Sequence, residues 1–239
     1  PFYLEEVINT LIESEVLFRD GASWRVRGRI EELEIPTTIH GIITARLDLL
    51  ENEPKRIIQE ASVIGRAFFY DILHKVSDLR DSVDGCLRSL EMADLIRTRA
   101  LSPDIEYIFK HALTQEVIYN GILKKERQVL HEKVACVIET YFQDRLSEFY
   151  ETLAFHYRNG LSWGKATQYL IRSAEKSMQR YAVEEAHLYY QGAFDILHTT
   201  GDSTTGQHSS ILDIIVAWCF VFYFRCFLFL LDVLKRFVF

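Results

Sequence analysis

The pair Gly164-Lys165 is the first place to look for nucleotide chemistry in this chain. A phosphate-binding loop has the pattern G-x-x-x-x-G-K-[ST], because backbone N–H groups wrap the phosphates while the Lys and the hydroxyl contact phosphate and Mg²⁺. Here Ala166 follows Lys165, and Asn159 stands where the first Gly is needed. The sequence therefore predicts that the isolated chain is not an enzyme and holds no nucleotide site of its own.

Metal and nucleophile motifs are incomplete as well. His131-Glu132 matches the start of a zinc-protease motif, but Ala135 replaces the second His, so a solvated helix face is expected there. The cysteines are dispersed and include no Cys-x-x-Cys pair, which disfavours a zinc site or a disulfide framework and suits a reducing cytosol: Cys86, Cys136, Cys219 and Cys226. We expect no catalytic residue, no metal and a cytoplasmic location.

His111 has a modest physical case as a ligand-binding residue. It lies where a helix is predicted to begin, and the positive end of a helix dipole disfavours an imidazolium. A neutral ring can still donate one hydrogen bond to a phosphate. The alternative is a histidine that makes only a local hydrogen bond.

The composition and the spacing of apolar residues indicate which kind of secondary structure positions these residues. The chain has 239 residues, 49% of them apolar, with 4 prolines and 11 glycines. Apolar residues recur mostly at spacings of three and four, so long helices with short connections are predicted and the fold class is mainly α. A net charge of −7 disfavours a nucleic-acid coat, because phosphate binding depends on clustered Lys and Arg.

The first predicted segment, residues 1–53, is helical with a small hairpin. An amphipathic helix is predicted from Leu4 to Leu17, and a polar turn at Asp20-Gly21 separates two short β-prone runs. A second helix follows Pro36. A third begins near Pro54, a residue favoured in the first turn of a helix, and ends at Gly65.

Residues 54–112 are predicted to form a winged-helix domain. Short helices are expected from Tyr70 to Val76 and from Val83 to Met92. Two β-prone runs, residues 95–98 and 107–110, then flank the turn Ser102-Pro103-Asp104. Three short helices followed by a two-stranded ribbon is the order of elements in a winged helix.

Residues 113–200 are predicted to form antiparallel helical hairpins. The expected helices run from His111 to Leu123, Lys125 to Phe142, Ser147 to Asn159, Trp163 to Arg180 and Val183 to Leu197. Ala154 and Tyr157 are echoed by Ala186 and Tyr189, as in stacked repeats where small residues let helices approach and rings fill the gaps. This pattern resembles about one and a half tetratricopeptide repeats; the alternative is an ordinary helical hairpin.

Residues 201–239 comprise a polar linker and a hydrophobic tail. From Ile214 to Leu231 the only charge is Arg225, and 12 of these 18 residues are Ile, Val, Leu or Phe. Each of these 12 residues favours membrane insertion by about 0.3 to 0.6 kcal/mol, whereas a central Arg disfavours it by roughly 2.5 to 3.5 kcal/mol. The sum favours insertion, so a membrane helix is energetically permitted. The alternatives are a buried helix or a tail produced by a frameshift or truncated gene.

Four stretches together resemble one family, the signal-transduction ATPases with numerous domains (STAND), which includes MalT-type regulators and the ATPase parts of class III adenylate cyclases. The stretches are Pro1 to Glu6, Ile35 to Asp48, Ala61 to Phe68 and Tyr107 to Leu113. With the repeat-like helices, the resemblance covers about residues 1 to 198. It implies the lid, the winged helix and the first helical repeats of such a protein.

The resemblance also implies roles for two residues. Pro1 matches the lid proline that packs on the adenine, and His111 matches the winged-helix histidine that contacts the β-phosphate of ADP, although Lys110 and Ala112 differ from the family's residues. ATP or ADP and Mg²⁺ would bind to an upstream nucleotide-binding domain of the intact parent, with which this chain would associate. The repeats would sense a protein partner or a small signal.

Two other functions are considered. A winged-helix transcription regulator would read DNA through the helix from Val83 to Met92, yet Asp84 and Glu91 on this helix would repel phosphate. A helical adaptor could instead be held at a membrane by residues 214–231 alone. The leading prediction is a regulatory segment of a signalling ATPase.

Overall fold

A computed structural model of the chain describes residues 8, 11–12, 16–20, 23–26, 39–100 and 104–200. The predicted mainly α fold is confirmed. The α-helices in this part of the chain are α1 (Ile39–Asp48), α2 (Asn52–Ile64), α3 (Tyr70–Val76), α4 (Val83–Met92), α5 (Ala112–Gly121), α6 (Lys124–Tyr141), α7 (Tyr150–Asn159), α8 (Trp163–Gln179) and α9 (Val183–Thr200). The strands are β1 (Leu17–Asp20), β2 (Ser23–Val26), β3 (Ala67–Phe69), β4 (Ile96–Ala100) and β5 (Glu106–Phe109).

The chain divides into two compact units, Pro1–Leu130 and His131–Phe239. The border falls within the sequence of α6, and each unit is described by itself below. The four-segment division expected from the sequence stays a prediction.

The predicted N-terminal hairpin is present. β1 pairs antiparallel with β2, with Leu17 opposite Val26. Arg25 and Asp20 form an exposed ion pair across it, with 2.9 Å between Nε and Oδ2. Most of the predicted helix from Leu4 to Leu17 lies outside the described residues, and the predicted end is wrong because Leu17 begins β1.

The first unit contains a three-stranded antiparallel sheet of order β3-β5-β4. The β4–β5 pair is the ribbon predicted from the sequence, with Ile96 opposite Phe109. β3 was not predicted; it pairs Ala67 with Ile108 and Phe69 with Glu106. This strand lies between α2 and α3 in the chain, so it joins the helices to the ribbon.

α2 illustrates why the helices of this unit form where they do. Pro54 and Glu53 lie in its first turn, where the fixed φ of Pro and a negative charge both favour a helix start. Gly65 ends the helix with φ +149°, a conformation that side chains disfavour, and its N–H donates to the Ala61 carbonyl at 3.2 Å.

One apolar core holds the first unit together. Helices α1 to α5 and strands β3, β4 and β5 contribute to it. Its buried residues are Ile43, Leu47, Ile57, Ile58, Ala61, Phe68, Leu73, Val83, Cys86, Leu87, Leu90, Leu95, Ile96, Phe109, Val117 and Ile118. Removing each large side chain from water contributes about 1.5 to 3 kcal/mol, so this core fixes the position of the β5–α5 junction.

The second unit is built from helices with short connections. α8 packs against both α7 and α9, and three residues separate consecutive helices at each turn, so neighbours run antiparallel. The small residues singled out in the sequence are all buried at these contacts: Ala154, Ala166, Ala174 and Ala186. The expected packing role of these alanines is therefore confirmed.

Three helices end in the same way, with a residue other than glycine in the left-handed position. Asp94 after α4, Leu161 after α7 and Tyr181 after α8 have φ of 56°, 63° and 60°. At each end two reverse hydrogen bonds close the last turn, as in Leu95 N–H to Leu90 O at 3.1 Å and Asp94 N–H to Glu91 O at 3.0 Å. This is the Schellman motif, in which the left-handed position usually holds glycine.

Within the described ranges, no helix combines the length and the apolar character that crossing a bilayer requires. The candidate span, residues 214–231, lies outside those ranges.

Candidate functional site

His111 lies at the junction of β5 and α5, where it is the N-terminal cap residue of the helix. Its backbone is extended, with φ −124° and ψ 136°, and its Nε2 atom is shielded from solvent. The prediction that His111 begins a helix is confirmed. Its proposed contact with a phosphate stays a prediction.

The residues around His111 are held by polar contacts. Lys110 forms an ion pair with Asp94, and its backbone N–H donates to the Leu95 carbonyl at 3.0 Å. One turn into α5, Gln115 Nε2 donates to the Ser62 carbonyl at 2.7 Å. These bonds fix both sides of the β5–α5 junction, so His111 has a defined location. Pro1 lies outside the described residues.

The Lys of the rejected phosphate pattern has a different partner in the second unit. Lys165 lies in the first turn of α8, and its Nζ is 2.7 Å from Glu139 Oε2 on α6. The same carboxylate accepts hydrogen bonds from Tyr157 on α7 and Tyr169 on α8, each at 2.5 Å. We call Glu139, Tyr157, Lys165 and Tyr169 the carboxylate cluster. Sequence reasoning missed it because its members are distant in sequence.

Protonation in the carboxylate cluster is set by these contacts. Burial alone would raise the pKa of Glu139, but hydrogen bonds from Lys165, Tyr157 and Tyr169 outweigh burial and hold it below its ordinary value. Burial and the hydrogen bond to Glu139 raise the pKa of both phenols, while the hydrogen bond to Glu139 raises the pKa of Lys165. The carboxylate is charged and its neighbours are donors, so the cluster ties three helices together rather than abstracting protons.

His131 makes a histidine pair rather than a solvated helix face. Its Nδ1 atom is 2.9 Å from Nδ1 of His156 on α7, and both residues are only 1% exposed. The expectation that His131 faces solvent is therefore wrong, because α7 covers this side of α6. Such a contact requires an N–H on one ring and a lone pair on the other. Among the described residues, no group of three His, Cys, Asp or Glu side chains is arranged to hold a metal ion.

The tyrosines of the second unit differ in their exposure. Tyr169 and Tyr190 are buried at 1% and 4% exposure, whereas Tyr181 is 76% exposed. Tyr169 stacks on Tyr157 with 5.8 Å between ring centroids. The buried rings fill the spaces between helices, as favoured from the sequence.

A known protein is similar to part of this chain. No protein-family model matches the chain. An uncharacterized protein of Rhizobium meliloti (strain 1021) is 31% identical over 109 residues, which are 44% of this chain. The aligned stretch is 10% of that protein, so the match covers about a tenth of the relative's length. A match of this extent assigns the chain to no family.

Proposed function

We propose that this chain is a regulatory, non-catalytic segment of a signal-transduction ATPase with numerous domains. In the intact protein, an upstream domain binds ATP or ADP with Mg²⁺ in the cytoplasm. The first unit reports the nucleotide state through His111, with Pro1 against the adenine. The helices of the second unit sense a protein partner or a small signal.

The arrangement of elements around His111 carries this proposal. The elements follow one another in the order α2, β3, α3, α4, β4 and β5, which is the order of a winged helix. The short strand β3 pairs with the β4–β5 ribbon to complete the sheet. His111 follows the last strand after one intervening residue, Lys110. A histidine at this position matches the residue that contacts the β-phosphate in the family that the sequence resembles.

The second unit supports a sensing role. Antiparallel helices stacked through buried alanines are the construction of helical repeats, which offer extended surfaces for partners. The length of the Rhizobium protein supports the idea that a segment of this kind occurs within a much longer chain.

Reading of DNA is the weaker alternative. Exposed positions of α4 include Asp84 and Arg88, and Asp84 accepts a hydrogen bond from Tyr70 at 2.8 Å. The acidic side chain would lie toward phosphates if α4 entered a groove, and the resulting repulsion disfavours binding. We expect no salt-dependent DNA affinity in a titration between 50 and 200 mM salt, concentrations over which phosphate contacts weaken strongly.

The proposal is tested in the longer protein that includes the upstream domain. We expect His111→Ala to weaken ADP binding about 10- to 100-fold, since a hydrogen bond to a charged group contributes about 1.5 to 3 kcal/mol. The matched control is His40→Ala, which removes an exposed histidine of α1 in the same unit. Equal ADP affinities of wild type and His111→Ala would refute the assignment of His111.

A second experiment uses the chain alone. We expect isothermal titration calorimetry to show no ATP binding in the micromolar range, because the phosphate-binding loop is absent. Micromolar affinity would contradict the proposal. Reading the neighbouring coding sequence gives an independent check, since an in-frame G-x-x-x-x-G-K-[ST] motif upstream is expected.

A further inference from the structure

The C-terminus of α4 is contacted from two directions. Its last turn is closed by the Schellman bonds at Asp94 and Leu95, and Leu90 and Leu95 are both buried beneath it. Ala93, the C-cap residue, retains a carbonyl oxygen at the negative end of the helix dipole. We call Ala93, Asp94 and Leu95 the α4 cap.

Arg46 of α1 binds the α4 cap. Its residue exposure is only 2%, and Nη2 donates to the Ala93 carbonyl at 2.5 Å. A guanidinium here complements the dipole, and its burial is tolerated only while such contacts persist. A displacement of α1 would break this hydrogen bond, so the α4 cap contributes to holding α1 in place.

The same cap holds the residue before His111. Asp94 forms an ion pair with Lys110, and Leu95 accepts the Lys110 backbone N–H at 3.0 Å. Arg46, the α4 cap, Lys110 and His111 therefore form one contiguous path within the first unit. A chain of hydrogen bonds and ion pairs of this kind can carry energetic coupling, which a measured response at both ends demonstrates.

We propose that the α4 cap couples α1 to His111, with Arg46 as a positioning residue for the histidine. A change at His111 shifts Lys110 and the cap, and thereby alters how firmly α1 is packed; a displacement of α1 shifts His111 in return. The significance of this coupling for nucleotide sensing rests on the proposed function. The coupling itself is a property of the free chain and obeys thermodynamic reciprocity.

The first test removes the buried cation. In the full chain, Arg46→Met is expected to shift the imidazole NMR signals of His111, identified by their loss in His111→Gln, whereas Arg46→Lys restores them in part. The matched control is Arg88→Met, which removes an exposed arginine of α4. If Arg46→Met speeds amide exchange in α1 but leaves the His111 signals as in wild type, the coupling is refuted.

The reciprocal test changes the ion pair next to His111 and measures the response in α1. Both side chains of this pair lie outside the apolar core. We expect Lys110→Met and Asp94→Asn to speed amide hydrogen exchange of residues 39–48 about five- to tenfold, because coupling of this kind shifts an equilibrium by that order. Asn tolerates the left-handed conformation at position 94, so the cap is kept. The matched control is Lys125→Met, which replaces an exposed lysine of α6.

Each outcome of the reciprocal test decides the proposal. Faster exchange in α1 for both variants, with the control unchanged, supports it. Unchanged amide exchange in α1 overturns the proposed coupling. If Arg46→Met fails to fold, the reciprocal test is sufficient to decide the proposal. Neither measurement contains a nucleotide, so failure of the coupling is distinguishable from failure of His111→Ala to alter ADP affinity.

Discussion

Glu139 joins three helices through one carboxylate group. Lys165, Tyr157 and Tyr169 all donate to it, and together they hold its pKa below the ordinary value of 4.5. A carboxyl group with a lowered pKa in the folded state stabilises the protein fully above its unfolded pKa. That stabilisation is lost as the pH falls through the folded pKa.

We therefore predict that Glu139→Gln lowers the free energy of unfolding by about 1 to 3 kcal/mol at pH 7, since hydrogen bonds to a charged group are lost. The difference from wild type should shrink as the pH falls below the unfolded pKa of the carboxyl and through its lowered folded pKa. Urea unfolding at pH 7 and pH 3.5 measures both values. The control is Glu175→Gln, an exposed glutamate of α8; a difference independent of pH would contradict the prediction.

Gly160 lies where α7 comes close to α6. A Cβ atom at this position would be 3.0 Å from the Glu132 backbone nitrogen and 3.2 Å from its Cα. Backbone atoms in a packed helix yield little, so Gly160→Ala should destabilise the second unit by about 1 to 3 kcal/mol. The control is Gly164→Ala in α8, where the added Cβ meets open space and helix propensity favours Ala by about 1 kcal/mol.

Thermal unfolding followed by circular dichroism measures both glycine variants. The prediction requires a lower midpoint for Gly160→Ala and an equal or higher midpoint for Gly164→Ala than for wild type. Equal midpoints for Gly160→Ala and wild type would show that Glu132 moves away at no cost.

The sequence predicted the ends of α4, α7 and α8 to within one residue, at Met92, Asn159 and Arg180, but it did not predict the left-handed residue that follows each end. Helix ends are usually read from glycine or proline, and Leu161 and Tyr181 are neither. These residues occupy the left-handed conformation because the reverse hydrogen bonds and buried neighbours outweigh a cost of about 1 to 2 kcal/mol. The helix bodies, by contrast, follow from their apolar period, as for Tyr70–Val76 and Val83–Met92.

Tyr181 offers a direct test of that cost, because its side chain is 76% exposed. Tyr181→Gly should raise the free energy of unfolding of the second unit by about 1 kcal/mol, as the strained conformation is relieved. Tyr181→Ala keeps the Cβ and is expected to bring no such gain. Urea unfolding of the two variants gives the comparison, and equal stability of Gly and Ala variants would refute the explanation.

β3 shows why one strand of the first unit could not be predicted. Ala67–Phe69 is too short for an alternating pattern, and its pairing with β5 brings together residues about 40 positions apart. Phe68 is buried against Phe109 and stacks on Tyr107, with ring centroids 5.8 Å apart in both cases. Tertiary packing, rather than local sequence, makes this segment a strand.

For the molecule as a whole, the fold class followed from composition and apolar spacing, but the division into two units did not. A border within the sequence of one helix has no Gly or Pro to mark it. Likewise, the sequence predicted His111 at a helix start. The contact between Arg46 and the α4 cap could not be predicted, because only folding brings these distant residues together. Single contacts between distant residues carry no periodic pattern.

The two described cysteines distinguish the units chemically. Cys86 is 4% exposed in the core of the first unit, and burial, with Glu53 and Glu51 nearby, raises the pKa of its thiol. Cys136 is exposed in the second unit. Because the thiolate is the reactive form, a thiol reagent should modify Cys136 at least about 100-fold faster than Cys86 in the native protein.

The measurement uses the Cys219→Ser, Cys226→Ser background, so that only the described thiols react, and Cys86→Ser identifies the fast phase. Added urea should speed Cys86 modification as the free energy of opening falls, because the reagent reaches Cys86 only when the first unit opens. The labelling rate of Cys86 then reports the opening of this unit alone. Rapid modification of Cys86 without urea would mean that its core opens locally, and the path from Arg46 to His111 would lack the rigid support that coupling requires.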